Sequence, residues 1–247
     1  MTKNIFITGG TSGIGKALVF KFAKKNWNIF YTYFNNKKEA INISKNLQDL
    51  KIKHSFFKMD LNNKNSIKKA FEVFSKQFKK LDYLINNANP PTRRKKFLRI
   101  DDEEIKKNIN GFLVGNLIVI KKALKLILNN KNKEIVGILN ISSYSSINGG
   151  KNIHLYAASK AALNILMNAL SIDYIKNKIK IQSVLPKYIN TKSFRKNNNI
   201  KNNKDLLKFM KKKGILEIKN PEEFSNFIFD IIINKNKFKN KPLIKFD

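Results

Sequence analysis

A tyrosine and a lysine four positions apart, Tyr156 and Lys160, form the pair in this sequence best suited to move a proton. Residues at i and i+4 share one face of a helix, so a helix over 155–175 brings the phenol and the ammonium group together. A free phenol has a pKa of about 10, and a neighbouring cation lowers that pKa because it favours the phenolate. We therefore expect Tyr156 to exchange a proton with an alcohol or carbonyl oxygen.

A serine stands thirteen positions before this tyrosine. Ser142-Ser143 follow an apolar run over 135–141 that predicts a strand, so the hydroxyl of Ser143 is expected at a strand end, where it can hold the same substrate oxygen. Each residue also has an ordinary structural explanation. Tyrosine and lysine are common in this chain, and a serine at a strand end usually satisfies local backbone groups. Ser143, Tyr156 and Lys160 therefore indicate a catalytic site only if the predicted strand and helix bring them together.

A glycine-rich turn near the N-terminus supplies a second half for a candidate site. The turn Thr8-Gly9-Gly10-Thr11-Ser12-Gly13-Ile14-Gly15 lies between an apolar run, 5–7, and an amphipathic segment, 16–25. A strand, a glycine turn and a helix in this order favour dinucleotide binding, because glycines let the backbone approach a pyrophosphate and the helix N-terminus offers free N–H groups. For this motif alone, an ordinary strand-to-helix loop is the alternative.

Strands and helices alternate along the whole chain, as judged from apolar runs and from apolar positions at helical spacing. The predicted strands are 5–7, 28–33, 54–58, 81–85, 135–141, 179–185 and 242–246, and the predicted helices are 16–25, 37–50, 65–78, 101–128, 155–175, 204–213 and 221–233. This pattern predicts the α/β class, with one doubly wound Rossmann-type domain over 1–247 whose parallel seven-stranded sheet carries helices on both faces. Ligands of such sheets bind beyond the carboxyl ends of the strands, where the segment 187–220 is expected to form a substrate lid.

Composition restricts the class of function. The chain has no cysteine and two histidines, which excludes disulfides and argues against a metal site. No segment approaches the roughly 20 apolar residues of a membrane helix, and no signal peptide is recognisable, so we expect a cytoplasmic protein.

The formal net charge is +33. Its lysines are spread along the chain, which favours a solvated surface over an acidic partner, and an acidic partner over nucleic acid.

Four motifs together resemble the short-chain dehydrogenase/reductase family, in particular its 3-oxoacyl-(acyl-carrier-protein) reductase-like branch. They are the turn 8–15, Asn86-Asn87-Ala88, Asn140-Ile141-Ser142-Ser143, and Tyr156-Ala157-Ala158-Ser159-Lys160, and they span essentially the whole chain. The resemblance implies hydride transfer between a nicotinamide cofactor and a carbonyl or secondary alcohol. It implies that Tyr156 is the acid or base, that Lys160 tunes it and holds the nicotinamide ribose, and that Ser143 positions the substrate oxygen.

The same resemblance implies a set of cofactor contacts. They are Gly9, Ser12, Ile14, Asp60, Leu61, Asn87, Tyr156, Lys160 and Ile189. Asp60 is expected to meet the adenine, and a helix cap within its own loop is the alternative. The end of the second strand carries no acidic residue to bind the ribose 2′-hydroxyl of NAD, whereas Lys37 and Lys38 can pair with a 2′-phosphate. We therefore predict NADP as the cofactor, with NAD as the alternative.

The sequence also departs from the family pattern. Phe112 stands where members usually carry an asparagine in the long helix, which leaves the proton relay of the family without its usual amide. Asn108 and Asn116, one turn to either side, are candidates to supply it if the helix is bulged; both are equally well explained as solvent-facing. Lys187 replaces the glycine that usually follows Pro186 and places a cation near the pocket.

The substrate class stays open from sequence. A 3-oxoacyl thioester, a sugar-type substrate or another small ketone each fits, and Lys187 with the lysines of 195–213 favours an anionic or carrier-bound molecule. A homodimer through the long helices, or a homotetramer, is expected. The alternative function is a cofactor-binding module with weakened catalysis that serves as a sensor or partner subunit; Phe112 and Lys187 favour it, and the intact Ser143, Tyr156 and Lys160 weigh against it.

Overall fold

The computed structural model of the chain describes residues 2–91, 94–130, 136–234, 238 and 241–247. The first residue of the predicted strand 135–141 lies outside these ranges. Seven strands are present in the described part: β1 (Asn4–Ile7), β2 (Asn28–Tyr33), β3 (His54–Lys58), β4 (Tyr83–Asn86), β5 (Gly137–Ile141), β6 (Lys180–Pro186) and β7 (Leu243–Phe246). Each predicted strand is therefore confirmed to within two residues at either end of its described part.

The strands form one parallel sheet in the order β3-β2-β1-β4-β5-β6-β7. The chain runs outward from β1 to β3, returns to β4 beside β1, and then runs outward the other way. This is the predicted doubly wound topology, and its switch point is the crevice between the carboxyl ends of β1 and β4.

Helices cover both faces of the sheet. They are α1 (Gly13–Ala23), α2 (Lys37–Leu47), α3 (Lys64–Gln77), α4 (Asp102–Ile109), α5 (Gly115–Leu128), α6 (Ser145–Asn148), α7 (His154–Asp173), α8 (Lys192–Asn197), α9 (Asn203–Lys213) and α10 (Pro221–Ile233). Alternate residues of β1 show how the two layers arise. Ile5 and Ile7 pack with α1, α2 and α10, whereas Phe6 packs with α3, α5 and α7. All three are fully buried, as expected for a strand covered on both faces.

The largest departure from the sequence prediction is the helix expected over 101–128. It is instead α4, a π-helical turn over Asn110–Val114, and α5. Two glycines bring this region close to neighbouring loops: a Cβ on Gly115 would lie 2.2 Å from the carbonyl oxygen of Leu61, and a Cβ on Gly111 would lie 2.6 Å from Cγ of Pro90. A locally widened turn is the usual way in which a helix absorbs one extra residue.

Smaller differences have local causes. β4 begins at Tyr83, not at 81, and the Asp82 carboxylate just before it accepts hydrogen bonds from the backbone N–H of Asn4 and the side chain of Asn130. α8 was not predicted. It begins after Thr191, whose hydroxyl oxygen accepts a hydrogen bond from the N–H of Phe194 at 3.0 Å. Such a cap stabilises a short helix that an apolar pattern does not reveal.

Within the described ranges, no helix has both the length and the apolar character needed to cross a bilayer. The same residues contain no group of three histidine, aspartate or glutamate side chains placed to hold a metal ion.

Candidate active site

The glycine turn after β1 has a backbone that only glycine adopts easily. Gly9 and Gly13 have φ angles of +69° and +49°, in the left-handed region. A Cβ on Gly15 would lie 2.0 Å from the carbonyl oxygen of Gly9, so the start of α1 rests directly on the turn. Ser12, the residue before α1, is extended and makes no side-chain cap. The turn and the first N–H groups of α1 therefore fit a phosphate-bearing ligand.

Thr8 and Asn87 tie this turn to the loop that follows β4. The hydroxyl oxygen of Thr8 accepts hydrogen bonds from the backbone N–H groups of Asn87 and Ala88, both at 2.9 Å. In return, Nδ2 of Asn87 donates to the carbonyl oxygens of Thr8 at 2.9 Å and Gly9 at 3.2 Å. The amide nitrogen of Asn87 thus supports the glycine turn, and its expected contact with the cofactor stays a prediction.

A polar ladder crosses the carboxyl ends of the three central strands. Asn86 of β4, Asn140 of β5 and Ser183 of β6 are paired residue to residue in the sheet. Nδ2 of Asn86 donates to Oδ1 of Asn140 at 3.1 Å, and Nδ2 of Asn140 donates to the hydroxyl of Ser183 at 3.2 Å. All three side chains are buried. The ladder lies immediately below the loops that carry the candidate site.

One cavity of about 190 Å³ gathers much of the predicted site. Its walls include the predicted residues Ile14, Asn87, Ser143, Tyr156 and Ile189. The hydroxyl of Ser143 acts on the phenol of Tyr156 and favours its ionised form. The structure therefore brings together the glycine-turn segment, the β4 loop, the end of β5 and the start of α7, as the spacing of the motifs predicts.

Lys160 lies behind Tyr156 on the same face of α7. It is 2% exposed, its Nζ donates to the carbonyl oxygen of Ile141 at 2.6 Å, and the same atom lies 5.9 Å from the centroid of the Tyr156 ring. The helical spacing thus gives the expected proximity, and the end of β5 supplies the carbonyl that fixes the ammonium group.

Burial governs the titration of this pair. Burial raises the pKa of Tyr156, and the hydrogen bond with Ser143 partly opposes that shift. Burial also lowers the pKa of Lys160 to about 7. The expectation that Lys160 lowers the pKa of Tyr156 below its usual value is therefore wrong for this structure. An ammonium group that is itself destabilised by desolvation carries only part of its charge at neutral pH, so it stabilises the phenolate less.

Ser143 makes the local bonds of a strand-end serine and also lines the cavity, and its hold on the substrate oxygen stays a prediction. Its Oγ accepts a hydrogen bond from the N–H of Ser145 at 3.2 Å and lies 2.9 Å from the hydroxyl of Ser145, as a strand-end serine does. The loop is further held by Ser146, whose hydroxyl donates to the carbonyl oxygen of Ser143 at 2.6 Å and accepts from Asn164 at 2.7 Å. The local bonds fix the serine while it still faces the cavity.

Asp60, Leu61 and Ser12 lie outside the cavity. Asp60 does not cap α3, because the capping residue is Asn63, whose side chain accepts from the N–H of Ser66. The carboxylate of Asp60 instead accepts from the N–H of Asn62 at 2.8 Å. The capping alternative is therefore wrong, and the adenine contact of Asp60 stays a prediction.

An acidic residue close to the end of β2 was missed in the sequence. Glu39, in the first turn of α2, accepts a hydrogen bond from Nζ of Lys16 at 2.7 Å, and this bond lowers the pKa of Glu39. An acidic side chain in the first turn of a helix is ordinary because it complements the helix dipole. Because this explanation already accounts for Glu39, its pairing with Lys16 of α1 was not expected from sequence. Lys37 and Lys38 are exposed beside it.

The segment 187–220 contributes cavity residues that the sequence analysis did not name. Thr191 lies against the glycine turn, since a Cβ on Gly13 would be 3.1 Å from its methyl carbon. Tyr188 and Phe194 line the cavity and pack with Phe209, with ring centroids 5.4–5.9 Å apart. Three aromatic residues in a segment rich in lysine and asparagine were the available signal, because such residues tend to lie on a buried face.

A family model described as short chain dehydrogenase matches residues 3–202. The chain belongs to the short-chain dehydrogenase family. Curated relatives include a 3beta-hydroxysteroid dehydrogenase of Mediterraneibacter gnavus, 27% identical over 184 residues, or 74% of this chain and 65% of that protein. General stress protein 39 of Bacillus subtilis is 25% identical over 184 residues, which cover 63% of it. The chain thus spans less than two thirds of the length of these relatives.

Solved short-chain dehydrogenases share the fold. A 3-ketoacyl-(acyl-carrier-protein) reductase from Brucella melitensis, complexed with NADH, has a TM-score of 0.85 at 20% identity over 99% of this chain and 96% of its own. A short chain dehydrogenase from Burkholderia cenocepacia, in complex with NADP, has a TM-score of 0.87 at 19% identity over the same shares. The resemblance to the short-chain dehydrogenase family and the doubly wound fold are both confirmed.

This short-chain dehydrogenase carries Phe112 in its π-helical turn, in contact with Tyr156. The ring centroids lie 5.7 Å apart and the ring planes cross at 79°. Of the two nearby asparagines, Asn108 is half-buried, whereas Asn116 is fully buried and donates from Nδ2 to the backbone. The solvent-facing explanation is therefore wrong for Asn116.

Proposed function

We propose that this chain is an NAD(P)-dependent oxidoreductase that converts between a carbonyl and a secondary alcohol. The observation that carries the proposal is the placement of Ser143 and Tyr156 in the wall of one cavity with Ile14 and Asn87. In reduction, Tyr156 donates its phenolic proton to the substrate oxygen, and Ser143 holds that oxygen by a hydrogen bond. In oxidation, the phenolate takes the proton back.

The glycine turn is the proposed dinucleotide site. The missing side chain of Gly15, the uncapped start of α1 and the bonds from Asn87 leave a backbone surface that fits a pyrophosphate. When bound, the nicotinamide supplies or accepts the hydride. We assign Gly9, Ser12, Ile14, Asp60, Leu61, Asn87 and Ile189 to cofactor contacts, together with Tyr156 and Lys160.

Lys160 has a proposed electrostatic part in the proton transfer. Because its pKa is about 7, both of its protonation states are populated at neutral pH. Its charged form stabilises the phenolate of Tyr156, and the carbonyl oxygen of Ile141 keeps the ammonium group in place.

NADP is the proposed cofactor, with NAD as the alternative. Lys37 and Lys38 are exposed at the start of α2, and neither forms an ion pair with a described residue. Glu39, the nearby carboxylate, is engaged by Lys16. Two unpaired cations and an occupied carboxylate favour a ligand with a 2′-phosphate.

The substrate is proposed to be a small carbonyl compound with an anionic group, free or carrier-bound. Lys187 lines the same cavity as Tyr156, and Tyr188 and Phe194 add apolar surface. A 3-oxoacyl thioester and a sugar-type molecule both remain in this class. The segment 187–220 is proposed as the lid of the same single domain, because its Thr191 already lies against the glycine turn.

A homodimer through the long helices is the proposed assembly, with a homotetramer as the alternative. Ile165 and Ile172 of α7 are 68% and 66% exposed and lie seven positions apart, which places both on one helix face. Apolar side chains that share a face are typical of a surface that a second subunit covers. A cytoplasmic location is part of the same proposal.

The test is a panel of carbonyl and alcohol substrates run with both NADH and NADPH and followed at the absorbance band of reduced nicotinamide. Turnover that is abolished by Tyr156→Phe, with dinucleotide affinity nearly unchanged, is the expected result. Undiminished turnover in that variant would overturn the assignment of Tyr156. Dinucleotide binding without turnover of any substrate would favour the sensor or partner-subunit alternative.

A further inference from the structure

Phe112 touches the proposed acid or base from inside the protein. Its ring crosses that of Tyr156 at 79° with centroids 5.7 Å apart, which is the edge-to-face arrangement that aromatic pairs prefer. Phe112 is 2% exposed and does not line the cavity. It therefore packs on Tyr156 without reaching the space in which a substrate would lie.

The π-helical turn gives Phe112 this position. The N–H of Gly115 bonds to the carbonyl oxygen of Asn110, five residues back. In an α-helix it would bond to Gly111, four residues back. The extra residue changes which side chains face α7, and it leaves backbone carbonyls of the turn in need of other donors.

Asn116 supplies such a donor. Its side chain is fully buried, and Nδ2 donates to the carbonyl oxygens of Phe112 at 2.9 Å and Gly111 at 3.3 Å. Its Oδ1 is buried without a hydrogen-bond partner among the described residues. A buried amide that is half unpaired is costly. The paired atom, Nδ2, contacts only the carbonyl oxygens of Gly111 and Phe112.

We propose that Phe112 is a positioning residue for Tyr156, and that Asn116 holds Phe112 in place across the π-helical turn. The inference rests on the proposed function, in which Tyr156 transfers the proton. The ring of Phe112 limits the movement of the Tyr156 ring, so the phenol stays beside Ser143, and it keeps water from the inner side of that ring.

The first test is Phe112→Leu, which keeps an apolar side chain and removes the ring. Loss of orientation at a reacting group lowers turnover more than binding, so kcat is expected to fall roughly 10- to 100-fold while KM stays near the wild-type value. A change confined to KM would contradict a positioning role.

The second test is coupling between the two residues. Asn116→Ala is expected to lower kcat, because the turn then holds Phe112 less firmly. The double variant is expected to lose no more than Phe112→Leu alone, since Asn116 acts through Phe112. Losses that multiply in the double variant would show that Asn116 acts independently and would overturn the pairing.

The third test needs no substrate. The chain has seven tyrosines, and the carbon-13 NMR signal of Tyr156 can be assigned by its disappearance in Tyr156→Phe. Lys160, on the same helix, has its Nζ 5.9 Å from the centroid of this ring, and Lys187 lines the same cavity; neither residue is altered. In Phe112→Leu, water reaches the ring, so the titration midpoint of Tyr156 is expected to move to lower pH. If the wild type turns over no carbonyl, the proposed function fails, yet this measurement still tests the contact.

Phe22→Leu is the matched control. Phe22 is fully buried and meets Trp27 in the same geometry, with centroids 5.2 Å apart and ring planes at 79°. Its loss is expected to lower the melting temperature without moving kcat or the Tyr156 midpoint. If Phe112→Leu behaves in the same way as Phe22→Leu, the proposal is overturned. Should Phe112→Leu fail to fold, Phe112→Met carries the same tests.

Discussion

Thr8 and Asn87 exchange hydrogen bonds across two neighbouring strand ends, because the hydroxyl of Thr8 accepts the N–H of Asn87 while the amide of Asn87 donates to the carbonyl of Thr8, each at 2.9 Å. Neither residue needs a ligand to be held in this way. The loops that follow β1 and β4 therefore form one rigid floor beneath the proposed dinucleotide site.

Removal of the Thr8 hydroxyl should weaken this floor. Thr8→Val keeps the shape but leaves the N–H groups of Asn87 and Ala88 without their acceptor. Each unmet buried group costs about 1–3 kcal/mol, so denaturant unfolding should show a lower free energy of unfolding, and titration should show weaker NADPH binding. Thr8→Ser, which keeps the hydroxyl, is the control. Equal stability of the two variants would contradict the role given to this oxygen.

Gly15 should tolerate no side chain. In Gly15→Ala the new Cβ meets the carbonyl oxygen of Gly9, at 2.0 Å before relaxation, so the turn and α1 must move apart. Overpacking of this kind costs about 1–3 kcal/mol, and the displaced turn should also lose dinucleotide affinity. At Gly149 an added Cβ meets nothing within 4 Å. The φ of Gly149 is +68°, so Gly149→Ala strains the backbone and should lose stability. It should nevertheless keep the dinucleotide affinity, since it leaves the glycine turn unchanged, and isothermal titration of both variants measures this.

Lys160 should make stability depend on pH. Its pKa is about 7 in the folded chain against about 10.4 in an unfolded one. Between these values the unfolded chain binds the extra proton, so the free energy of unfolding rises with pH from about 7 to 10.4. In Lys160→Met this rise should be smaller, and the part that remains comes from Lys180, whose pKa burial lowers to about 8. Urea unfolding without dinucleotide at several pH values measures it, and parallel pH profiles for variant and wild type would refute the assignment.

The lysines at the start of α2 should separate the two dinucleotides. Lys37→Gln combined with Lys38→Gln removes the proposed partners of a 2′-phosphate, so NADPH affinity should fall roughly tenfold while NADH affinity is kept. Lys24→Gln with Lys25→Gln, at the far end of α1, makes the same change in net charge. The Lys24/Lys25 control should change the affinity for neither dinucleotide. An equal loss of NADH and NADPH affinity in the Lys37/Lys38 variant would show that these lysines do not recognise the 2′-phosphate, and it would remove the argument for NADP over NAD.

The strands, the helices and the parallel doubly wound class followed from sequence, because buried strands and helices have different apolar periods and alternate along the chain. The site residues at strand ends followed for the same reason: once β5 and α7 are placed, Ser143 and Tyr156 must meet at one edge. Their titration did not follow, since it depends on how deeply Lys160 is desolvated, which packing decides.

The features that sequence reasoning missed depend on single contacts. The π-helical turn at Asn110–Val114 coincides with two close approaches by glycine and with one buried amide, none of which changes the apolar pattern. The pairing of Lys16 with Glu39 joins two helices that are adjacent only in the folded sheet. Because lysine is so frequent in this chain, sequence spacing does not single out Lys16 as the partner of Glu39.

The ladder of Asn86, Asn140 and Ser183 has a consequence for how the sheet assembles. Each hydrogen bond joins directly opposed residues of neighbouring strands. A strand that slipped by one residue would turn its side chain to the other face and bury an amide without a partner. The ladder therefore acts as a check on register, and it excludes misaligned sheets in which Asn87 and Ser143 would end at different heights.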